Sequence, residues 1–156
     1  MTYSRPGVVY TGIVLTYLFV WFAPVKANSI TLAPKDPAAV AAGKTLYAEH
    51  CASCHGENLE GQKNWQNPLP NGRMPAPPHD KSGHTWHHSD VLLFRITKLG
   101  TEKVVGGDYK SDMIGFQDVL TDRQIIQVLS YIKSSWPAEF QKLHDGVNER
   151  AKLYGN

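Results

Sequence analysis

Cys51 and Cys54 are the only cysteines in a chain of 156 residues, and His55 stands directly behind them. Two thiols at this spacing can add to the two vinyl groups of one porphyrin, which leaves the next side chain beneath the iron. Cys51-Ala52-Ser53-Cys54-His55 thus has the pattern of a c-type haem attachment site, with His55 as one axial ligand. Other uses of such a pair lack their context. A thioredoxin-like couple needs a βαβ unit, which the chain does not suggest. A structural zinc site takes four ligands, commonly from two Cys-x-x-Cys pairs, and here there is one pair. A plain disulfide has no need of His55.

Haem is joined to cysteine outside the cytoplasm, so this reading requires an export signal. Arg5 and the α-amino group form a small positive region, Gly7 to Ala23 is a run of 17 uncharged residues, and Pro24-Val25-Lys26-Ala27 follows. Val25 and Ala27 fit the −3 and −1 positions of cleavage after Ala27. The expectation is a signal peptide over residues 1–27 and a periplasmic protein. A 17-residue run is also about the shortest that spans a bilayer, so an uncleaved anchor in the inner membrane is the rival.

The charge balance follows from that cleavage. The whole chain has 16 Lys and Arg against 14 Asp and Glu; without Arg5 and Lys26 the two totals are equal at 14. A neutral mature chain, made slightly acidic by haem propionates, offers no basis for nucleic-acid binding. Its length suits one domain.

The elements that must position the cysteines are helical. Asp36-Pro37 reads as N-cap and N1 of a first helix, with Val40, Gly43, Tyr47 and His50 at helical spacing up to Cys51. Gly43 inside a helix costs about 1 kcal/mol against Ala, which implies another helix crossing closely over it. Residues 56–88 are rich in Gly, Pro, Asn and His without periodicity, the kind of irregular chain that can wrap a porphyrin. Ser89-Asp90 starts a short helix with Leu92, Leu93, Ile96 and Leu99 inward and Gly100 as its stop. Thr101 to Asp118 reads as a second irregular stretch, and Thr121-Asp122-Arg123-Gln124 as a capping box opening a helix with Ile125, Val128, Leu129 and Ile132 on one stripe. Pro137 ends that helix and starts another with Phe140, Leu143, Val147 and Ala151 apolar. His50 and His144 read as exposed helix residues.

Over residues 37–136 the chain resembles the class I c-type cytochromes. The likeness rests on Val40, Gly43, Leu46 and Tyr47 running into Cys-Ala-Ser-Cys-His-Gly, on Met113 in an irregular loop, and on Leu120-Thr121-Asp122 leading into Ile125, Val128, Leu129, Tyr131 and Ile132. It is also similar to a bacterial subgroup with Pro75 to Asp80 followed by Gly83 to His88. The resemblance implies an all-α fold of three core helices around one covalently bound haem c, with a domain over 28–136 and a helical extension over 137–156. It implies that the terminal helices cross at Gly43 and Tyr47 against Leu129 and Tyr131. It further implies a carrier of single electrons between redox partner proteins, not an enzyme. A haem subunit of a periplasmic oxidoreductase is the alternative, and a copper-handling protein using the histidine segment is the third reading.

Met113 is the expected second axial ligand. It lies eight residues before Thr121, where the family pattern puts the ligand, and 58 beyond His55, which lets the chain reach the opposite haem face. Met74, 19 residues after His55, is the competitor, read as a filler of the haem pocket. Ile114 stands where the family usually has proline, which predicts a less stiff loop. A proline carbonyl accepts from the axial histidine in the family; Pro77 resembles it best, with Pro68 second. Trp86 either reaches a propionate through its indole N–H or is an ordinary core aromatic. His79, His84, His87 and His88 read as solvated loop residues, some donating to propionates, with iron ligation or a surface copper or zinc site as the other uses.

Overall fold

Helix α1 (Pro37–His50) begins where Asp36 can cap it: Oδ1 accepts from the N–H groups of Ala38 and Ala39 at 3.0 and 3.3 Å. The computed structural model describes Met1 and residues 30–154, so the expected signal peptide (1–27) lies outside the described residues. Within them the order is α1, α2 (Ala52–His55), a 3-10 turn (Thr85–His87), α3 (Asp90–Leu99), α4 (Thr101–Val105), α5 (Asp122–Ser134) and α6 (Ala138–Tyr154), with no strand. The all-α expectation is met. No described helix is long and apolar enough to cross a membrane.

The principal pairing is α1 against α5. The capping box of α5 is complete: Thr121 Oγ1 accepts from Gln124 N–H at 3.3 Å, and Gln124 Oε1 accepts from Thr121 N–H at 2.9 Å. Ile125, Val128, Leu129 and Ile132 are all buried. Each contributes on the order of 1.5–3 kcal/mol by leaving water, far more than the few tenths that propensity adds per residue. Gly43 is the crossing point. A β-carbon there would lie 2.0 Å from the Gln127 carbonyl oxygen and 3.0 Å from Tyr131 Cβ. The partners of the crossing are thus Gln127 and Tyr131, with the Tyr47 and Tyr131 rings 5.5 Å apart, and Leu129 is buried on the neighbouring face. Gly43→Ala must push the two helices apart. The expected cost is about 3 kcal/mol, the upper part of the range for overpacking. It would be read as a fall in the thermal midpoint of the holoprotein, and an unchanged midpoint would show that the crossing is looser than described.

Several sequence expectations need correction. The stretch after Gly100 is not wholly irregular, because Thr101–Val105 forms a helical turn. In α3 the buried residues are Asp90, Leu93, Phe94 and Thr97, so the inward face is rotated from the one expected, and Leu92, Ile96 and Leu99 are half-buried. In α6 Leu143 is 53% exposed and its neighbour His144 is fully buried. His50 is half-buried, with its ring 6.3 Å from that of Phe116.

His144 is inward because a polar junction receives it. Asp90 Oδ2 accepts from Leu32 N–H at 3.0 Å, and its Oδ1 accepts from Asn148 Nδ2 at 3.0 Å. Lys133, itself buried, reaches Asp145 at 2.5 Å. His144 Nε2 lies 3.4 Å from Asp90 Oδ1, its ring meets Trp136 edge-on at 5.1 Å, and neither ring nitrogen makes a well-formed hydrogen bond among the described residues. Burial, reinforced by the Lys133 ammonium, holds this imidazole below its ordinary pKa. The folded state therefore keeps the ring neutral, while the unfolded chain takes up the proton as pH falls below about 6.5. The stabilisation from the neutral ring is complete above that value and is lost as acid is added. Thermal midpoints of the wild type should fall between about pH 7 and about pH 5, and His144→Leu should make the slope shallower. An identical slope would mean that His144 does not carry this dependence.

Candidate functional site

Cys51 closes α1, its N–H bonded to the Tyr47 carbonyl at 2.9 Å, and the chain turns at once into α2. That junction places Cys51, Cys54 and His55 on successive positions of one helical turn, with the Tyr47 hydroxyl donating to Gly56 O at 2.9 Å to hold the turn against α1. Both cysteines are unbridged; Cys51 is half-buried and Cys54 exposed. Burial, with Cys54 beside it, pushes the Cys51 thiol up to about 11. At neutral pH it is a thiol, whereas a thiol–disulfide catalyst relies on a low-pKa thiolate.

His55 is buried, and burial holds its pKa below the ordinary value, against the opposing pull of the Pro77 carbonyl. A neutral imidazole is the form that ligates metal. Its Nδ1 lies 2.9 Å from Pro77 O, which leaves Nε2 as the nitrogen available to a metal. Pro77 is brought there by Gly61. Gly61 N–H donates to His55 O at 2.7 Å, and a β-carbon on it would lie 2.4 Å from Pro78 N and 2.6 Å from Pro77 C. Gln62 N–H donates to Ala76 O at 2.8 Å, and Gln62 Oε1 accepts from Ala76 N–H at 2.9 Å, so the two limbs of the loop are clipped beneath the histidine. Pro68, the runner-up, lies earlier in the loop and is exposed.

Met113 is half-buried on a loop sewn to the end of α3. Thr101 N–H donates to Met113 O at 3.2 Å, Phe116 N–H to Thr97 O at 3.0 Å and Gln117 N–H to Lys98 O at 3.0 Å. Met113 N–H donates to Ser111 Oγ at 3.1 Å, and Gly100 and Ile114 form an antiparallel bridge. These bonds supply the stiffness that proline would otherwise give at position 114. Arg73 pairs with Asp112, so the loops bearing Met74 and Met113 are clipped together. Met74 itself is exposed.

The histidine segment is more ordered than solvated loop residues would be. The His79 ring stacks on that of His55, centroids 3.9 Å apart and planes 21° apart. His84 stacks on Trp65 at 5.3 Å and stands edge-on to His88 at the same distance. His87 is exposed beside Trp86. Among the described residues no group of three His, Cys, Asp or Glu side chains is placed to hold a metal ion. Trp86 donates its Nε1–H to Gly83 O at 3.1 Å and sets its ring edge-on to Phe140 of α6 at 4.9 Å. The indole that serves the site's surroundings is Trp136, whose Nε1–H donates to His79 O at 2.7 Å.

Two unbridged thiols on one turn, a neutral imidazole with its outer nitrogen already hydrogen-bonded, and a thioether on a sewn loop form a donor set that fits a covalently attached haem.

The cytochrome c family model matches residues 40–136, a span that contains all of these residues. Over 51 residues the chain is 41% identical to the "Cbb3-type cytochrome c oxidase subunit CcoP" of Rubrivivax gelatinosus; the match covers 33% of this chain and 17% of that protein. The chain thus corresponds to a minor part of that relative's length. No solved structure matches the chain.

Proposed function

The chain belongs to the cytochrome c family, whose members carry haem c covalently, and from that premise we propose that it is an exported carrier of single electrons whose iron is held between His55 and Met113. When bound, the haem supplies a one-electron Fe(III)/Fe(II) couple. The protein's part is to hold and tune it. Cys51 and Cys54 would tether the porphyrin and His55 Nε2 would hold the iron, while Pro77 O fixes the tautomer and direction of that ring. Met113 would supply the second ligand, favouring the reduced state and leaving no position for a substrate.

The observation that carries this reading is the 2.9 Å contact between His55 Nδ1 and Pro77 O, next to two unbridged thiols on the same turn. It presets a neutral imidazole for metal ligation, which a disulfide does not require, and among the described residues no third His, Cys, Asp or Glu joins the group as a zinc site would need. The test is a potentiometric titration of the holoprotein. A single reversible one-electron transition is expected; irreversible behaviour, or more than one transition, would overturn the reading.

The oxidase subunit among the relatives supports a second reading, in which this haem domain serves within a larger oxidoreductase. Purification in mild detergent separates the two, since a carrier elutes alone. Export rests on the N-terminal residues together with attachment of haem outside the cytoplasm. The expected N-terminus is Asn28; an intact Met1 terminus would favour the anchor.

A further inference from the structure

The His79 ring lies flat on that of His55, one of the expected donors. One hydrogen bond, from Nδ1 to Pro77 O, fixes the direction of the His55 imidazole but leaves its plane free to swing about that line. A flat ring at 3.9 Å with planes 21° apart removes the swing. We propose that His79 is a positioning residue, a clamped imidazole that sets the rotation of the His55 plane relative to the porphyrin. The proposal rests on the reading of His55 as an iron ligand.

The clamp is complete on the other sides. The His79 ring nitrogen Nδ1 lies 2.9 Å from the hydroxyl of Thr85, which is itself buried and 3.5 Å from Pro78 O. His79 N–H donates to Leu59 O at 2.8 Å, and its carbonyl accepts from Trp136 Nε1 at 2.7 Å. The backbone is thus pinned by the first loop and by the end of α5, and the ring by the 3-10 turn. The Tyr47 ring stands edge-on to the imidazole at 6.2 Å, and the flat contact is the one with His55. Pro77 and His79 lie two residues apart, so one short segment delivers both the hydrogen bond and the stack. Groups that orient a ligating histidine from outside tune the metal without touching it.

The test uses oxidised holoprotein, reading electron paramagnetic resonance g-values and the spread of haem methyl shifts by nuclear magnetic resonance, both of which follow the orientation of an axial ring. His79→Ala should broaden the g-values and change the methyl spread, while His79→Phe, which keeps a flat ring, should restore the wild-type pattern. Thr85→Val, which keeps the shape and removes the hydroxyl, should give a smaller change in the same direction. Wild-type spectra in the alanine variant, or a phenylalanine variant that matches alanine, would overturn the proposal. Should the alanine variant fail to mature, Thr85→Val decides alone, and unchanged spectra there overturn it. Absence of the shifted ring-proton signals of a bound imidazole from the wild-type nuclear magnetic resonance spectrum would instead refute the axial ligation of His55, and that spectrum is recorded before any variant is made.

Discussion

Cys51→Ala combined with Cys54→Ala should yield protein from which acid–acetone removes all haem, whereas the wild type keeps it. The thiols are the only cysteine sulfurs in the chain, so no other covalent tether is available. Each single variant should retain one thioether and therefore acid-resistant haem, with the pyridine haemochrome band displaced towards that of a porphyrin with one free vinyl group. His55 is unaltered in all of these proteins and can still ligate iron, so loss of the tether and loss of the ligand are separable. Acid-resistant haem in the double variant would show that the porphyrin is held elsewhere.

Met113→Ala should abolish the weak far-red charge-transfer band of a thioether bound to ferric iron and lower the reduction potential. The expected fall is on the order of 0.1–0.3 V, a fraction of the ~0.8 V that axial ligands span. Each ~59 mV in a one-electron couple is a tenfold change in equilibrium, so the effect on partner choice is large. Met74→Ala should leave band and potential in place. The structure motivates the contrast: the Met113 main chain is bonded to Thr101 and Ser111, whereas Met74 is exposed on the neighbouring loop. Loss of the band in Met74→Ala would reverse the assignment.

The readable parts of the chain are those decided by neighbours in sequence. Asp36 caps α1, Thr121 and Gln124 cap α5, and Ile125, Val128, Leu129 and Ile132 are buried, each a property of a few adjacent residues. Gly43 was legible as a close approach because a glycine inside an otherwise sound helix needs a reason. The misread parts are decided by residues far along the chain. Thr101–Val105 carries three β-branched residues after a glycine, a loop-like pattern, and forms a helical turn with its first N–H bonded to Met113 O, 12 residues on. His144 gains its burial from Asp90, Lys133 and Trp136, which α3 and the end of α5 deliver. His79 was hidden for the same reason. Its neighbours Pro77, Pro78 and Asp80 describe a loop, and its order comes from His55, Thr85 and Trp136. The one local signal was composition: a run of histidines and tryptophans is costly to leave solvated, and here Trp65, Trp86 and Trp136 each pack against a histidine.

An electron carrier and an enzyme differ in whether the iron keeps an open position, and carbon monoxide reports this on the reduced wild-type holoprotein. On the proposed ligation by His55 and by Met113, whose loop is bonded to Thr97, Lys98 and Thr101, both positions would be closed. The spectrum of the reduced protein should not change on addition of carbon monoxide, while Met113→Ala should bind it promptly. Prompt binding by the wild type would contradict the account, because it would show an iron open to substrate rather than one closed for electron transfer.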